Sequence, residues 1–144
     1  MPYLCYGHTL IQKQMITKVK WRIWGGTLNL FTAILHTVGG QMTLINPLLQ
    51  SDLNSQVETE LLGVWHMATV IMFMTSFAFL YTKDPSAEDG NKKLFLGIGY
   101  LYTFFAFSFI LSSIFNGVLA MQWVLLLPIG IIALFGAKRM KQVA

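Results

Sequence analysis

A chain of 144 residues, 55% hydrophobic and only 11% charged, cannot cover itself with a hydrated surface, since an ordinary soluble domain carries about 25% charged residues. Its length fits one domain, and its single cysteine, Cys5, excludes an internal disulfide and any multi-thiolate metal centre. The formal net charge of +4 would admit nucleic acid as a partner, but the basic residues sit where they serve a lipid bilayer instead.

Residues 1–14 mix apolar and polar groups, as expected of a short helix lying along a membrane interface. After Met15, the run Lys18-Val-Lys-Trp-Arg22 and the apolar stretch behind it have the outline of a signal peptide. The stretch is too long for a signal-peptide core, carries Asn29 and His36, and lacks a small-x-small cleavage site, so it reads as a retained span. This first span is predicted over residues 21–45, closed by Asn46-Pro47 because proline disfavours helix in the residue before it.

The second span is predicted over 61–82, the third over 94–115 and the fourth over 120–137. The first three are long enough for a bilayer core that needs about 20 apolar helical residues, and the fourth is near the lower limit. Polar turns at Thr82–Ser86 and Glu88–Asn91 separate the second and third. Asn116-Gly117 makes a tight reversal, so the third and fourth are expected to be antiparallel neighbours, with a kink at Pro128. Lipid offers the backbone no hydrogen-bond partner, and the alternation of barrel strands is absent, so the spans must be helices.

All ten basic residues fall in three places: Lys13, Lys18, Lys20 and Arg22 before the first span; Lys83, Lys92 and Lys93 between the second and third; Lys138, Arg139 and Lys141 in the tail. The first loop instead carries Asp52, with Glu58 and Glu60 beside it. By the positive-inside tendency both termini are cytoplasmic. The expectation is an all-α, integral membrane four-helix bundle in a cell inner membrane, with Trp21, Trp24, Trp65, Tyr81 and Trp123 near the interfaces.

The chemistry-bearing candidates are few. Gly25, Gly26, Asn29, Thr32, Ala33, His36 and Gly40 recur at spacings of three and four, a seam that lets another helix approach. Gly99, Thr103, Ala106, Ile110 and Ser113 form a similar seam in the third span. Counted from the outer ends at 1.5 Å per residue, His36 lies roughly 13 Å deep and His66 roughly 8 Å. An outer-half pocket is therefore expected, formed by His36, His66, Trp65, Gln41, Asn116 and Gln122, with no comparable collection in the inner half. Intramembrane ionisable residues invite a functional reading. His36 and His66 could hold haem between facing helices, or bind a metal ion if Glu58 or Glu60 supplied a third ligand. Packing residues and a proton or solute path are the competing readings.

Several enzyme classes are excluded by what is missing. There is no Cys-x-x-Cys for thiol-driven quinone reduction, and three histidines are too few for a histidine-rich di-iron site. The buried Arg and Glu of the membrane-bound eicosanoid and glutathione metabolism family have no counterpart, nor does the first-span carboxylate of small multidrug exporters. The eight methionines are scattered and read as apolar filler. His36-Thr-Val-Gly-Gly40 and Trp65-His-Met-Ala-Thr69 resemble motifs of small uncharacterised four-helix bacterial inner-membrane proteins, and the layout is similar to DoxX-type proteins. The resemblance implies only that the two histidines belong together. The favoured expectation is binding of a small apolar or redox ligand or cofactor, in a homo-oligomer or as an accessory subunit of a membrane complex. A small oligomeric transporter or exporter and a structural assembly subunit are the alternatives.

Overall fold

The computed structural model describes residues 3–82 and 88–140, with side chains described over 20–82 and 90–140. Among these residues there is no strand. Helix α1 runs over Tyr3–Gly40, continues as a π-helical turn over Gln41–Ile45, and ends in the single turn α2, Asn46–Leu49. Helices α3 (Ser55–Tyr81), α4 (Glu88–Asn116) and α5 (Trp123–Arg139) follow.

Helices α1, α3 and α4 overrun the expected spans, α4 taking in Glu88–Asn91 where a turn was expected, while α5 begins at Trp123, three residues later than expected; the overruns of α1 and α3 have local causes. Asn46-Pro47 does not end the first helix. The wider π turn is closed by the Asn46 N–H on the Gln41 carbonyl, and Pro47 then falls in a first helical turn, where a missing N–H is tolerated. α3 begins at Ser55 rather than Leu61 because Asn54 caps it, its side chain accepting from the Gln56 N–H at 2.8 Å. Glu58 and Glu60 therefore belong to the helix, with Glu58 in its first turn, where negative charge complements the helix dipole. Residues 3–19 are helical and continuous with α1 rather than a separate short helix. α5 runs unbroken through Pro128, whose ring lies on an exposed face.

The reversal at Asn116-Gly117 is as expected. Gly117 has φ 63°, and the Val118 N–H reaches back to the Ser113 carbonyl at 3.2 Å, the pattern of a glycine-closed helix end. Ser113 then takes the Ala120 N–H on its hydroxyl at 2.9 Å, turning the chain toward α5.

Contacts fix the directions of the helices. Gly26 lies against Leu80, and Gly40 against Trp65, so α1 and α3 are antiparallel. Gly99 meets Leu134, Gly130 meets Thr103 and Gly136 meets Phe95, so α4 and α5 are antiparallel. Trp21 stacks on Phe135 and Gly25 meets Ile132, which sets α1 antiparallel to α5. The extensive pairings are α1 with α3, α1 with α5 and α4 with α5; α3 and α4 meet through long side chains, Phe79 edge-on to Phe95 at 4.9 Å.

The small-residue seam of α1 is where these contacts converge. Asn29 and Ala33 are fully buried and Thr32 nearly so. Around them pack Phe79, Phe95, Tyr102, Ile129, Ala133 and Ala137, all with no exposed surface. The core lies toward the end that carries Trp21, Thr82 and Arg139. At the opposite end Phe115, Leu119, Val118 and Met42 are exposed.

Among the described residues, three helices are long and apolar enough to cross a membrane: Lys20–Leu49, Ser55–Tyr81 and Gly90–Asn116. Only 11% of the most apolar part of α3 is buried within the chain; the rest, including Val64, Met67, Met74 and Phe77, is a surface suited to lipid and costly in water.

Candidate functional site

Among the described residues, two places well inside the helix set hold polar side chains between helices, and they differ in how completely those groups are paired. The first was not foreseen. Asn29 on α1, Thr75 on α3 and Tyr102 on α4 meet in the core, in the half expected to lack such a collection. The Asn29 amide donates to the Thr75 hydroxyl at 2.9 Å, and the Tyr102 hydroxyl donates to the Asn29 carbonyl oxygen at 2.7 Å. The Thr75 and Tyr102 oxygens are 2.7 Å apart. The Thr75 hydroxyl also lies 2.8 Å from the Ile71 carbonyl of its own helix, which competes with Tyr102 for its one proton, so the three side chains are joined by mutual contacts of hydrogen-bond length rather than by one fixed circuit of donors. The Asn29 amide nitrogen also lies 3.4 Å from the Met72 carbonyl oxygen, to which the Ser76 hydroxyl donates at 2.7 Å. A buried polar cluster paired this fully needs no ligand. It is a clasp between three helices.

The second place lies two helical turns along α1. The His36 imidazole stacks on the Trp65 indole, ring centres 3.7 Å apart and planes 19° from parallel. The indole fits because residue 40 is glycine: a Cβ there would fall 1.8 Å from the Trp65 ring. Among the described residues the buried side-chain polar atoms without a hydrogen-bond partner are His36 Nε2 and Arg22 Nε. Arg22 sits at the end of the span and donates through another nitrogen to the Thr82 carbonyl. His36 lies well inside it.

The remaining expected site residues are not gathered around His36. His66 is exposed. Successive helical residues point about 100° apart, so turning Trp65 onto His36 turns His66 away, and the two imidazoles do not share a pocket. Gln41 donates to Asn46 at 3.0 Å and Asn116 to the Ser112 carbonyl at 2.9 Å; both are exposed, as is Gln122. Glu60 accepts from Gln56 at 3.1 Å within α3. Among the described residues no three His, Cys, Asp or Glu side chains are placed to hold an ion, so His36, His66 and Glu58 are not assembled as a ligand set. A haem bridging two facing imidazoles finds only one here.

No family model, curated protein or solved structure matches the chain.

Sequence reasoning found the seam on α1, and with it His36 and Trp65, but missed Tyr102 and Thr75. The one signal that could have found them is Asn29 itself: an amide on a buried seam requires partners on the helices it faces.

Proposed function

We propose that the protein is a four-span inner-membrane protein, both ends cytoplasmic, that binds a small organic ligand beside His36 and Trp65. Four crossings are supported by α5 running antiparallel along α4. At about 26 Å for 17 residues α5 is short for a bilayer core of about 30 Å, but its partner α4 qualifies fully. The orientation is supported by charge: Lys20, Arg22, Lys92, Lys93, Lys138 and Arg139 belong to one end of the helix set, Asp52, Glu58 and Glu60 to the other.

The observation that carries the ligand reading is the unpartnered Nε2 of His36. A polar atom left unpaired in an apolar interior costs of order 2–7 kcal/mol, and the nearby clasp shows how fully this chain pairs polar groups elsewhere. A ligand that offers one hydrogen-bonding group and a flat apolar body would satisfy the imidazole and lie against the indole. One imidazole is too little for a metal ion, which favours an organic molecule. A site built from two side chains is in keeping with an accessory role in a larger membrane complex.

The test is native mass spectrometry and an absorption spectrum of the protein purified in mild detergent. A bound small molecule should be present in the unmodified protein and in His66→Leu, and depleted in His36→Leu and Trp65→Leu. Absence of any bound molecule from the unmodified protein, or equal loss in His66→Leu, would contradict the reading.

A further inference from the structure

Lys20, Lys138 and Arg139 are exposed, and among the described residues none of the three makes an ion pair or hydrogen bond. They are drawn to one end of one groove by the packing of α1 on α5. Trp21 stacks on Phe135 with ring centres 6.5 Å apart, and the Trp21 Cβ is 3.4 Å from where a Cβ on Gly136 would be. Lys20 precedes Trp21, and Lys138 and Arg139 lie within one turn of Phe135 and Gly136, so the three cations ring the mouth of the α1–α5 contact. Trp24, one turn from Lys20 on the same exposed face, is 69% exposed; Phe135 and Ile131, one turn apart on α5, are 52% and 42% exposed. The groove is therefore apolar along its length and cationic at its end.

We infer that this groove is a binding site for an anionic phospholipid, the phosphate held by Lys20 and Arg139 and an acyl chain lying along Trp24, Phe135 and Ile131. The charge decides the occupant. A zwitterionic headgroup brings its own cation to a place that already has three, whereas an anionic one offers phosphate oxygens to unpaired ammonium and guanidinium donors. The aromatic rings suit the same occupant, since indole rings settle at headgroup depth. The inference rests on the chain spanning a membrane, but not on the ligand proposed at His36, which belongs to the other half of the helix set.

The experiment uses the full chain in nanodiscs of phosphatidylcholine containing a minor fraction of phosphatidylglycerol with brominated acyl chains. Bromine quenches nearby indoles, and Trp21 and Trp24 are at the groove while Trp65 and Trp123 are not. Brominated phosphatidylglycerol should quench more than the same fraction of brominated phosphatidylcholine. Lys20→Gln and Arg139→Gln should each weaken that preference about fivefold, the worth of one basic residue near an anionic surface. Lys92→Gln removes one charge from the same end, but on α4, which α5 separates from the groove, and should change it much less. No preference in the unmodified protein, or equal loss in all three variants, would overturn the site in favour of a diffuse surface charge. Far-ultraviolet circular dichroism of each variant identifies any that fails to fold; the charge-reversed pair Lys20→Glu and Arg139→Glu, which should abolish the preference, then replaces it.

Discussion

At the scale of single residues, the two polar sites should respond to substitution in opposite ways. Tyr102→Phe removes one hydroxyl from the cluster and leaves the Asn29 carbonyl oxygen short of a partner, while Thr75 keeps its contact with the Ile71 carbonyl. Interhelical hydrogen bonds in membranes are worth about 0.6–2 kcal/mol, so a loss of about 1 kcal/mol is expected. Asn29→Ala takes away all the interhelical bonds of a fully buried side chain and opens a void, and should cost about 2–3 kcal/mol. Because both belong to one network, the double variant should cost less than the sum; reversible unfolding in detergent measures all three. Gly40→Val probes the other site. A side chain there displaces the Trp65 indole, so it should shift Trp65 fluorescence, read in a Trp21/Trp24/Trp123→Phe background, and unstack His36.

At the scale of elements, helix approach is limited by glycine. A Cβ on Gly130 would sit 3.0 Å from the Thr103 backbone nitrogen and 3.1 Å from the Gly99 carbonyl oxygen, and backbone cannot swing aside as a side chain can. Gly130→Ala is thus expected to push α4 and α5 apart at a cost of about 1–3 kcal/mol. Gly97→Ala, in the same pair of helices but with open space around it, should be neutral or slightly stabilising. Thermal unfolding of the two variants side by side checks the contrast.

The elements also show what was legible beforehand. The α1 seam could be read because Gly25, Asn29, Thr32, Ala33 and His36 keep the helical period, and small residues in an apolar run have no better use than close packing. Tyr102 could not. It stands among Tyr100, Phe104, Phe105 and Phe107, and nothing in one dimension says which aromatic turns its hydroxyl toward Asn29. Helix ends were misplaced where hydropathy was followed alone, since it marks the apolar middle and ignores a cap such as Asn54. The pairing of His36 with His66 failed for a related reason. Depth was counted and direction was not, and a single residue along α3 exchanges a histidine for the tryptophan that meets His36.

At the scale of the whole molecule, the burial pattern is uneven. Phe79, Phe95, Tyr102 and Ile129 are fully enclosed near the basic end, while Ile114, Phe115, Val118 and Leu119 at the other end are exposed. The clasp lies at the enclosed end and the unpartnered His36 Nε2 away from it. The large exposed apolar faces require lipid, and the alternating helix directions bring the N-terminal end of the first span and the C-terminal end of α5 to one side.

That arrangement is tested most directly by cysteine accessibility in intact cells. With Cys5 replaced by Ser, single cysteines at the exposed positions Ser51, Val118 and Lys138 are challenged with a membrane-impermeant thiol reagent. Four crossings with cytoplasmic ends predict labelling from outside at positions 51 and 118 and protection at 138 until the cells are opened. Labelling of 118 and 138 from the same side would contradict it, showing that α5 does not cross.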